Sequence, residues 1–560
     1  MKASIRLTRI GIALLAAIAV IAGCSNNGND TATNGNNTVK ENVSETKAAE
    51  TKAAEPEAVY DGTMKQVRPA SFSFYGNYDW MTIEPWGADP TSKWVKENLK
   101  IEVTPIQSSG AAEAKLNTMI ASEGLPDVMM LDRGAIVERL RQANQLVALD
   151  DYLDKYPNLK KYAGEDTLNM LRSDDGKLYI FPDWYTSSPN GNGGWVINTK
   201  IYKELGSPKL ETFDDLYAYL KTVKEKYTDV IPLEVGFSGK GIEVMSSGFA
   251  ENHPTQFASM RYYPEGDKLV SIFKDPVYKD AMLFANKLFR EKLITQDAFT
   301  QKDDQVKEKL KTGKVAVLVF DDAANYGREG HNAWKAIDPS GGYQAIWPIH
   351  KAGLDPNKIL VNEYNSLGWN AVVITKNAKD PEAIFAYLDW STSPEGQRIL
   401  FFGPQGLFWD EADSNGVPIP NEAYKTTPEE EKDKLKLGSF VWAGNTTYVD
   451  SSKAALEMTL PEEQRNWSTV AQSTIYWKTS MNMTEFVNLD PLPDTEEGIA
   501  QSAVKDLYTE VRAKLMFAKS DEEVLAIIDK ADKDSVKLGF DKLLDYHTAK
   551  WKGNLEKMKK

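Results

Sequence analysis

The chain of 560 residues contains one cysteine, Cys24, so no disulfide can form within it and its core rests on packing alone. Histidine is almost as scarce. His253, His331, His350 and His547 are the only four, and they lie scattered with no i,i+4 pair, which speaks against a zinc site. Ser173-Asp-Asp-Gly176 is too short for a calcium loop, which spreads alternating carboxylates over about twelve residues. No metal and no cofactor are therefore expected. The sequence also lacks the phosphate-binding glycine loop, the dinucleotide fingerprint, the zinc-protease helix motif, the serine-hydrolase elbow and any internal repeat. Basic residues are the minority, 66 against 81 acidic, for a net charge of −15. That balance argues against a nucleic-acid partner.

What is present begins at the N-terminus. Lys2, Arg6 and Arg9 precede an apolar run from Ile10 to Ala22. A run of about 13 is too short for a membrane helix, which needs roughly 20. It has the layout of a signal peptide over residues 1–23. Ile21-Ala22-Gly23-Cys24 resembles a bacterial lipobox, in which the cysteine thiol accepts diacylglycerol and becomes the first residue after cleavage. Cys24 is thus the expected lipidation site, placing the protein on the extracellular face of the cell membrane. Loss of the leader leaves 63 basic and 81 acidic residues, or −18. Residues 24–65, rich in Asn, Thr, Ala, Glu and Lys, read as a lipidated flexible tether.

About 495 residues follow the tether, too many for one compact core. No later segment approaches 18 consecutive apolar residues. Strands are expected at Ala70–Tyr75, Lys100–Ile106, Asp127–Leu131, Lys177–Pro182, Gly194–Asn198, Lys314–Phe320, Tyr343–Ile349 and Ala371–Ile374. Helices are expected at Ala111–Ser122, Phe213–Lys226 behind a Thr212 cap, Val277–Lys292 and Pro381–Ser391. The last 150 residues read as mostly helical, with a capping box at Ser520–Glu523. Such alternation predicts an α/β fold with largely parallel sheets and ligands at the strands' C-terminal ends. Fourteen tryptophans and 24 tyrosines suggest sugar, because aromatic faces stack on sugar C–H faces.

Several segments in order resemble the extracellular solute-binding proteins of ABC importers, in particular their carbohydrate-binding group. They are Ser122-Glu-Gly-Leu-Pro-Asp-Val128, Leu146-Val-Ala-Leu-Asp150, Asp175-Gly-Lys-Leu-Tyr-Ile-Phe-Pro182, and Val196-Ile-Asn198 with Leu205-Gly206 and Thr212-Phe213-Asp214. Lys311-Thr-Gly-Lys-Val-Ala-Val317 and Ala383–Trp390 followed by Ser393-Pro-Glu-Gly-Gln397 complete the series. The resemblance covers residues 70 to 406 and leaves roughly 415 to 560 unmatched. It implies a two-lobed, periplasmic-binding-protein-like fold of type II with interleaved lobes and a helical C-terminal extension. The N-terminal lobe would comprise 66–182 plus 366–406, and the C-terminal lobe 183–350 plus 410–560. Crossings are expected near Phe181–Tyr185, Ile349–Ser366 and Gly406–Asp413.

The resemblance further implies that lobe closure traps a ligand in the cleft and that the closed form is what the permease recognises. Partners would be an oligosaccharide, with plant-wall material as its expected source, and the ABC permease transmembrane subunits, with the protein itself a monomer that meets the membrane only through its lipid. Aromatic residues at strand ends and crossings are the candidate contacts: Trp80, Trp86, Trp184, Tyr185, Trp195, Trp369 with Asn370, and Trp409. Asp132 and Arg133 follow the Asp127–Leu131 strand, where related sugar binders set an acid and an arginine against hydroxyls. Asp127 reads as structural. Catalytic residues are not expected. A surface-tethered polysaccharide-degrading enzyme and a receptor for a non-sugar ligand such as a peptide are the alternatives weighed.

Overall fold

The computed structural model describes residues 62–559. The expected signal peptide, Cys24 and the tether up to residue 61 lie outside the described residues. The final tether residues are held in place: the Asn158 side chain donates to the Gly62 carbonyl at 2.9 Å and Glu395 accepts the Met64 N–H at 3.0 Å. Among the described residues no helix is long and apolar enough to cross a membrane.

Two sheets organise two lobes, each around its own hydrophobic core. The first sheet runs Ile101–Ile106, Ala70–Gly76, Val128–Asp132, Asn370–Ile374, Phe181–Asp183. Its first three strands are parallel, and Asn370–Ile374 is antiparallel to both neighbours. The second sheet runs Tyr343–Ile346, Gly194–Asn198, Val315–Phe320, Ile231–Glu234, and only its last pair is parallel. The expectation of largely parallel sheets therefore fails in the second lobe. Strand Gly194–Asn198 arrives by a crossing rather than by a strand–helix–strand unit, so nothing obliges it to run parallel.

Local chemistry fixes the elements that carry the cleft. Asp89 accepts the N–H groups of Thr91 and Ser92 and starts helix Pro90–Leu99, and Lys100 ends it with φ of 58°. Asp127 takes both the N–H and the hydroxyl of Ser73 at 2.7 Å, tying the first and third parallel strands at their roots. Thr212 and Asp215 form a reciprocal capping box on Phe213–Lys226. At Ser520 the hydroxyl accepts Glu523 N–H, but the Glu523 carboxylate reaches back to Lys519 N–H instead of closing the expected box.

The chain after residue 410 does not stay in one lobe, contrary to the division expected. Phe440, Val441, Trp442 and Ala443 are buried in the first core, where the Trp442 ring stacks on Phe74 with centroids 3.8 Å apart. Trp409 also belongs to the first core, so the late crossing occurs after Ala443 rather than near Gly406–Asp413. Large aromatic side chains on both sides of that core explain the arrangement: Trp86, Phe440 and Trp442 pack mutually at 5.1 to 6.0 Å. Helices Glu496–Phe517, Asp521–Lys537 and Phe540–Lys557 complete the second core through Val504, Leu515, Ile528 and Trp551. Buried Asn286 donates to the carbonyls of Leu515 and Ala518 at 2.8 Å, and Arg512 pairs with Glu243 at 2.8 Å.

Candidate ligand-binding cleft

Four strand ends of the first sheet meet at one edge. Tyr78 and Trp80 follow the first strand, Asp132 and Arg133 end the third, Trp369 precedes Asn370, and Trp184 follows Asp183. In register, Asn370 lies opposite both Asp132 and Asp183, which brings these ends together.

There Tyr78, Trp80 and Trp369 form an aromatic shelf. Tyr78 stands 5.3 Å from each of the other two rings, and Trp80 lies 6.3 Å from Trp369. Trp80 is 70% exposed and Trp369 46% exposed, values far above those of a packed tryptophan, so these two rings meet solvent while Tyr78 is buried behind them. The Tyr78 hydroxyl donates to Asp132 Oδ1 at 2.9 Å. Burial raises its pKa, and the neighbouring Asp132 charge raises it further, so Tyr78 remains a neutral donor. Asp132 itself is exposed.

Arg133 is crowded by protein atoms. Its Nη groups reach Asn488 Oδ1 at 3.2 Å and Asn365 Oδ1 at 3.4 Å, and its buried Nε has no partner among the described residues. Burial lowers its pKa to about 10, against the raising effect of Asp132 and Tyr78. Beneath the shelf, Asp183 is fully buried and accepts Gly444 N–H at 2.5 Å. The Asn370 amide donates to its Oδ2 at 3.1 Å. Burial pushes the Asp183 carboxyl up to about 7 despite these donors. Gly368 is needed beside it: its φ is +75°, and a Cβ there would lie 2.0 Å from the Asp183 carbonyl.

The crossing segments form a two-stranded ribbon, Asn362–Tyr364 beside Ser480–Asn482. Buried Asn362 clasps the neighbouring crossing, accepting Gly193 N–H at 2.7 Å and donating to its carbonyl at 2.9 Å. Glu363 on this ribbon is pushed up to about 7, by burial first and then by Asp321 at the end of the second lobe's strand Val315–Phe320. The adjacent Asp322 is pushed up to about 6 by burial.

Of the residues singled out in the sequence, Trp80, Asp132, Arg133 and Trp369 are brought together here. Trp184, with φ of 58°, is half-buried edge-on to Phe401 at 6.4 Å and stands next to the shelf. The others do not join this cluster. Trp195 is 1% exposed in the second core, and Tyr185 is buried with its hydroxyl 2.6 Å from Thr392 Oγ1. Trp409 is buried and donates to the Gly403 carbonyl, Trp86 donates to the Ile101 carbonyl, and Asn370 is buried in its strand. Sequence reasoning missed Tyr78, Asp183 and Glu363. Tyr78 could have been found, since it lies two residues before Trp80 at the end of the same strand. Among the described residues, no group of three or more His, Cys, Asp or Glu side chains is placed to hold a metal.

Residues 83–398 match the family model described as bacterial extracellular solute-binding protein. The lipoprotein LipO of Bacillus subtilis is 25% identical over 324 residues, 55% of this chain and 61% of that protein. The chain thus spans about three-fifths of the length of the curated relative it matches. Among solved structures, the alginate-binding protein AlgQ2 aligns with a TM-score of 0.67 at 17% identity, covering 87% of this chain and 98% of that one. The Streptococcus pneumoniae ABC-transporter substrate-binding protein FusA, solved with kestose, aligns with a TM-score of 0.63 at 18% identity, covering 87% and 100%. The HMO-binding, ABC-transporter-associated solute-binding protein of Bifidobacterium longum infantis gives 0.63 at 18%, covering 86% and 98%. With the family model spanning more than half its length and the two-lobed fold shared, the chain belongs to the bacterial extracellular solute-binding proteins.

Proposed function

We propose that the protein is the lipid-anchored substrate-binding component of an ABC importer and captures an oligosaccharide between its lobes. The observation that carries this reading is the pair of exposed rings Trp80 and Trp369, backed by buried Tyr78, beside Asp132 and Arg133. Ring faces suit sugar C–H surfaces, an exposed carboxylate accepts hydroxyl donors, and a guanidinium supplies directed N–H groups to ring and hydroxyl oxygens. Contacts to both lobes would stabilise a closed state for a permease to recognise. Cys24 would carry the anchor, and residues 25–61 would supply the reach between membrane and receptor. The ligand would be of the size released from plant-wall polysaccharides. No bond is made or broken in this scheme, so the protein acts as a receptor, not an enzyme.

Calorimetric titration of the processed chain with a panel of oligosaccharides tests the reading. Saturable binding of at least one carbohydrate, with no product released at high protein concentration, is the expected result. Binding of peptides alone would remove the sugar assignment, and turnover of a bound oligosaccharide would remove the receptor-only assignment.

A further inference from the structure

The parallel pair of strands in the second lobe, Ile231–Glu234 and Val315–Phe320, leads at its C-terminal ends into the loop Gly236–Lys240 and into Asp321. Ligands of α/β sheets gather at such ends. The loop bends sharply. Gly236, Ser238 and Gly239 all lie in the left-handed region, with φ of 68°, 56° and 64°. A Cβ on Gly236 would lie 2.1 Å from the Phe320 ring, so the loop turns directly over the strand end. For Ser238 the conformation is strained, and it persists only where the surroundings dictate it.

Those surroundings are built. Fully buried Glu234 accepts the N–H groups of Val235 and Gly236 at 3.0 Å. Gln301 donates to the same carboxylate at 2.7 Å and to the Gly236 carbonyl at 2.8 Å, and Lys309 offsets the Glu234 charge at 3.3 Å. From helix Glu496–Phe517, Arg512 donates to the Ser238 carbonyl at 2.6 Å.

This scaffold delivers one exposed ion pair. Lys240 Nζ donates to Asp321 Oδ2 at 2.8 Å, beside the Phe237 ring, and the two side chains are 41% and 40% exposed. A pair this open contributes little to stability, so the loop is organised far beyond what the pair returns to the fold. An ammonium carries three N–H donors and a carboxylate accepts on two oxygens. Their mutual bond uses one of each. The pair therefore keeps donors and acceptors that neighbouring hydroxyls of one sugar can share.

The pair stands at the crossing between the lobes. A Cβ on Gly193 would come within 3.3 Å of the Asp321 carbonyl. Glu363 on the crossing ribbon has its carboxyl raised by burial and, in smaller part, by Asp321. Two residues further along the same segment, Asn365 accepts from Arg133 of the first lobe at 3.4 Å. The short stretch 363–365 thus has Lys240 and Asp321 toward the second lobe and Asp132, Arg133 and the Trp80–Trp369 rings toward the first.

We propose that Lys240 and Asp321 are ligand contacts of the second lobe, hydrogen-bonding adjacent hydroxyls of the sugar whose ring rests on Trp80 and Trp369. This rests on the carbohydrate reading above and names what the second lobe adds to it: aromatic faces come from one lobe and a paired donor and acceptor from the other.

The test titrates the processed chain with a panel of neutral and uronic-acid oligosaccharides and carries the tightest binder forward to the K240M, D321N and K240R variants. K240M and D321N are each expected to weaken that binder roughly tenfold, because each removes a charged hydrogen-bond partner, while melting at the wild-type temperature. K240R keeps both the donors and the pair and is expected to stay within about threefold of wild type. Wild-type affinity in both K240M and D321N would overturn the proposal and leave the carbohydrate reading standing. So would a loss of affinity that appears only where the melting temperature falls with it. Failure of every oligosaccharide to bind the wild type would overturn both.

Discussion

The Asp183 carboxylate accepts the N–H of Gly444 at 2.5 Å, joining the first crossing between the lobes to the one that follows Ala443, 261 positions away in the chain. Both groups are buried under Trp184, so the bond sets the spacing of the two segments on which the cleft turns. The carboxyl is held at about 7 in the fold, by burial, whereas an unfolded aspartate titrates near 3.9. Between those values the folded protein keeps a proton that the unfolded chain has lost. Its contribution to stability is therefore complete below about pH 4 and is lost as pH rises through 7. Thermal melts from pH 4 to 8 should show D183N losing up to one proton's worth of that slope relative to wild type. Identical slopes would show that Asp183 is not titrating as described.

The shelf tryptophans and the core tryptophans should separate cleanly. Trp80→Ala and Trp369→Ala remove exposed rings, so each should weaken carbohydrate binding by roughly tenfold and leave the melting temperature nearly unchanged. Trp442→Ala and Trp195→Ala open cavities in buried sites and should cost about 3–5 kcal/mol of stability. Denaturant unfolding beside titration would distinguish the two classes. A large stability loss in W80A would show the shelf to be part of the core.

Gly368→Ala should damage the cleft without touching ligand. The added methyl meets the Asp183 carbonyl at 2.0 Å on a backbone with φ of +75°. Either the crossing shifts or the fold weakens, by more than about 1 kcal/mol. The expected readout is lower affinity together with a lower melting temperature, and wild-type behaviour in both would contradict the rigid packing of this crossing.

The three C-terminal helices are structural members of the second lobe. Arg512 and Glu243 pair with 13% and 10% of their side chains exposed, and Tyr508 donates to the same carboxylate at 3.1 Å. Arg512→Met strands a buried charge and should destabilise by about 3–5 kcal/mol. Adding Glu243→Gln should recover part of that loss. Equal stability of R512M and wild type would mean that the tail docks without this pair.

Much of the frame could be read from the sequence because its signals are local. Thr212 and Asp215, three apart, dictate a capped helix, and Val315–Phe320 is apolar on both faces because the strand is buried on both. The direction of Gly194–Asn198 could not be read, since strand direction depends on how the chain crosses between lobes. The same limit governed the tryptophans. Trp195 sits in a continuous apolar run, which marks a strand buried on both faces, whereas Trp369 and Trp409 look alike in sequence and differ only in what packs over them. Trp442 lies within the unmatched tail, and its place on Phe74 follows from a long-range contact that no periodicity encodes. Tyr78 and Asp183 were missed because their roles arise from register across strands.

Native mass spectrometry of the processed protein after equilibration with an oligosaccharide digest of plant-wall material tests the central claim most directly. The account predicts a retained mass equal to a sugar oligomer in the wild type, lost in the W80A/W369A double variant. Equal retention in both proteins, or retention of peptides from a matched peptide digest with no sugar bound, would contradict it.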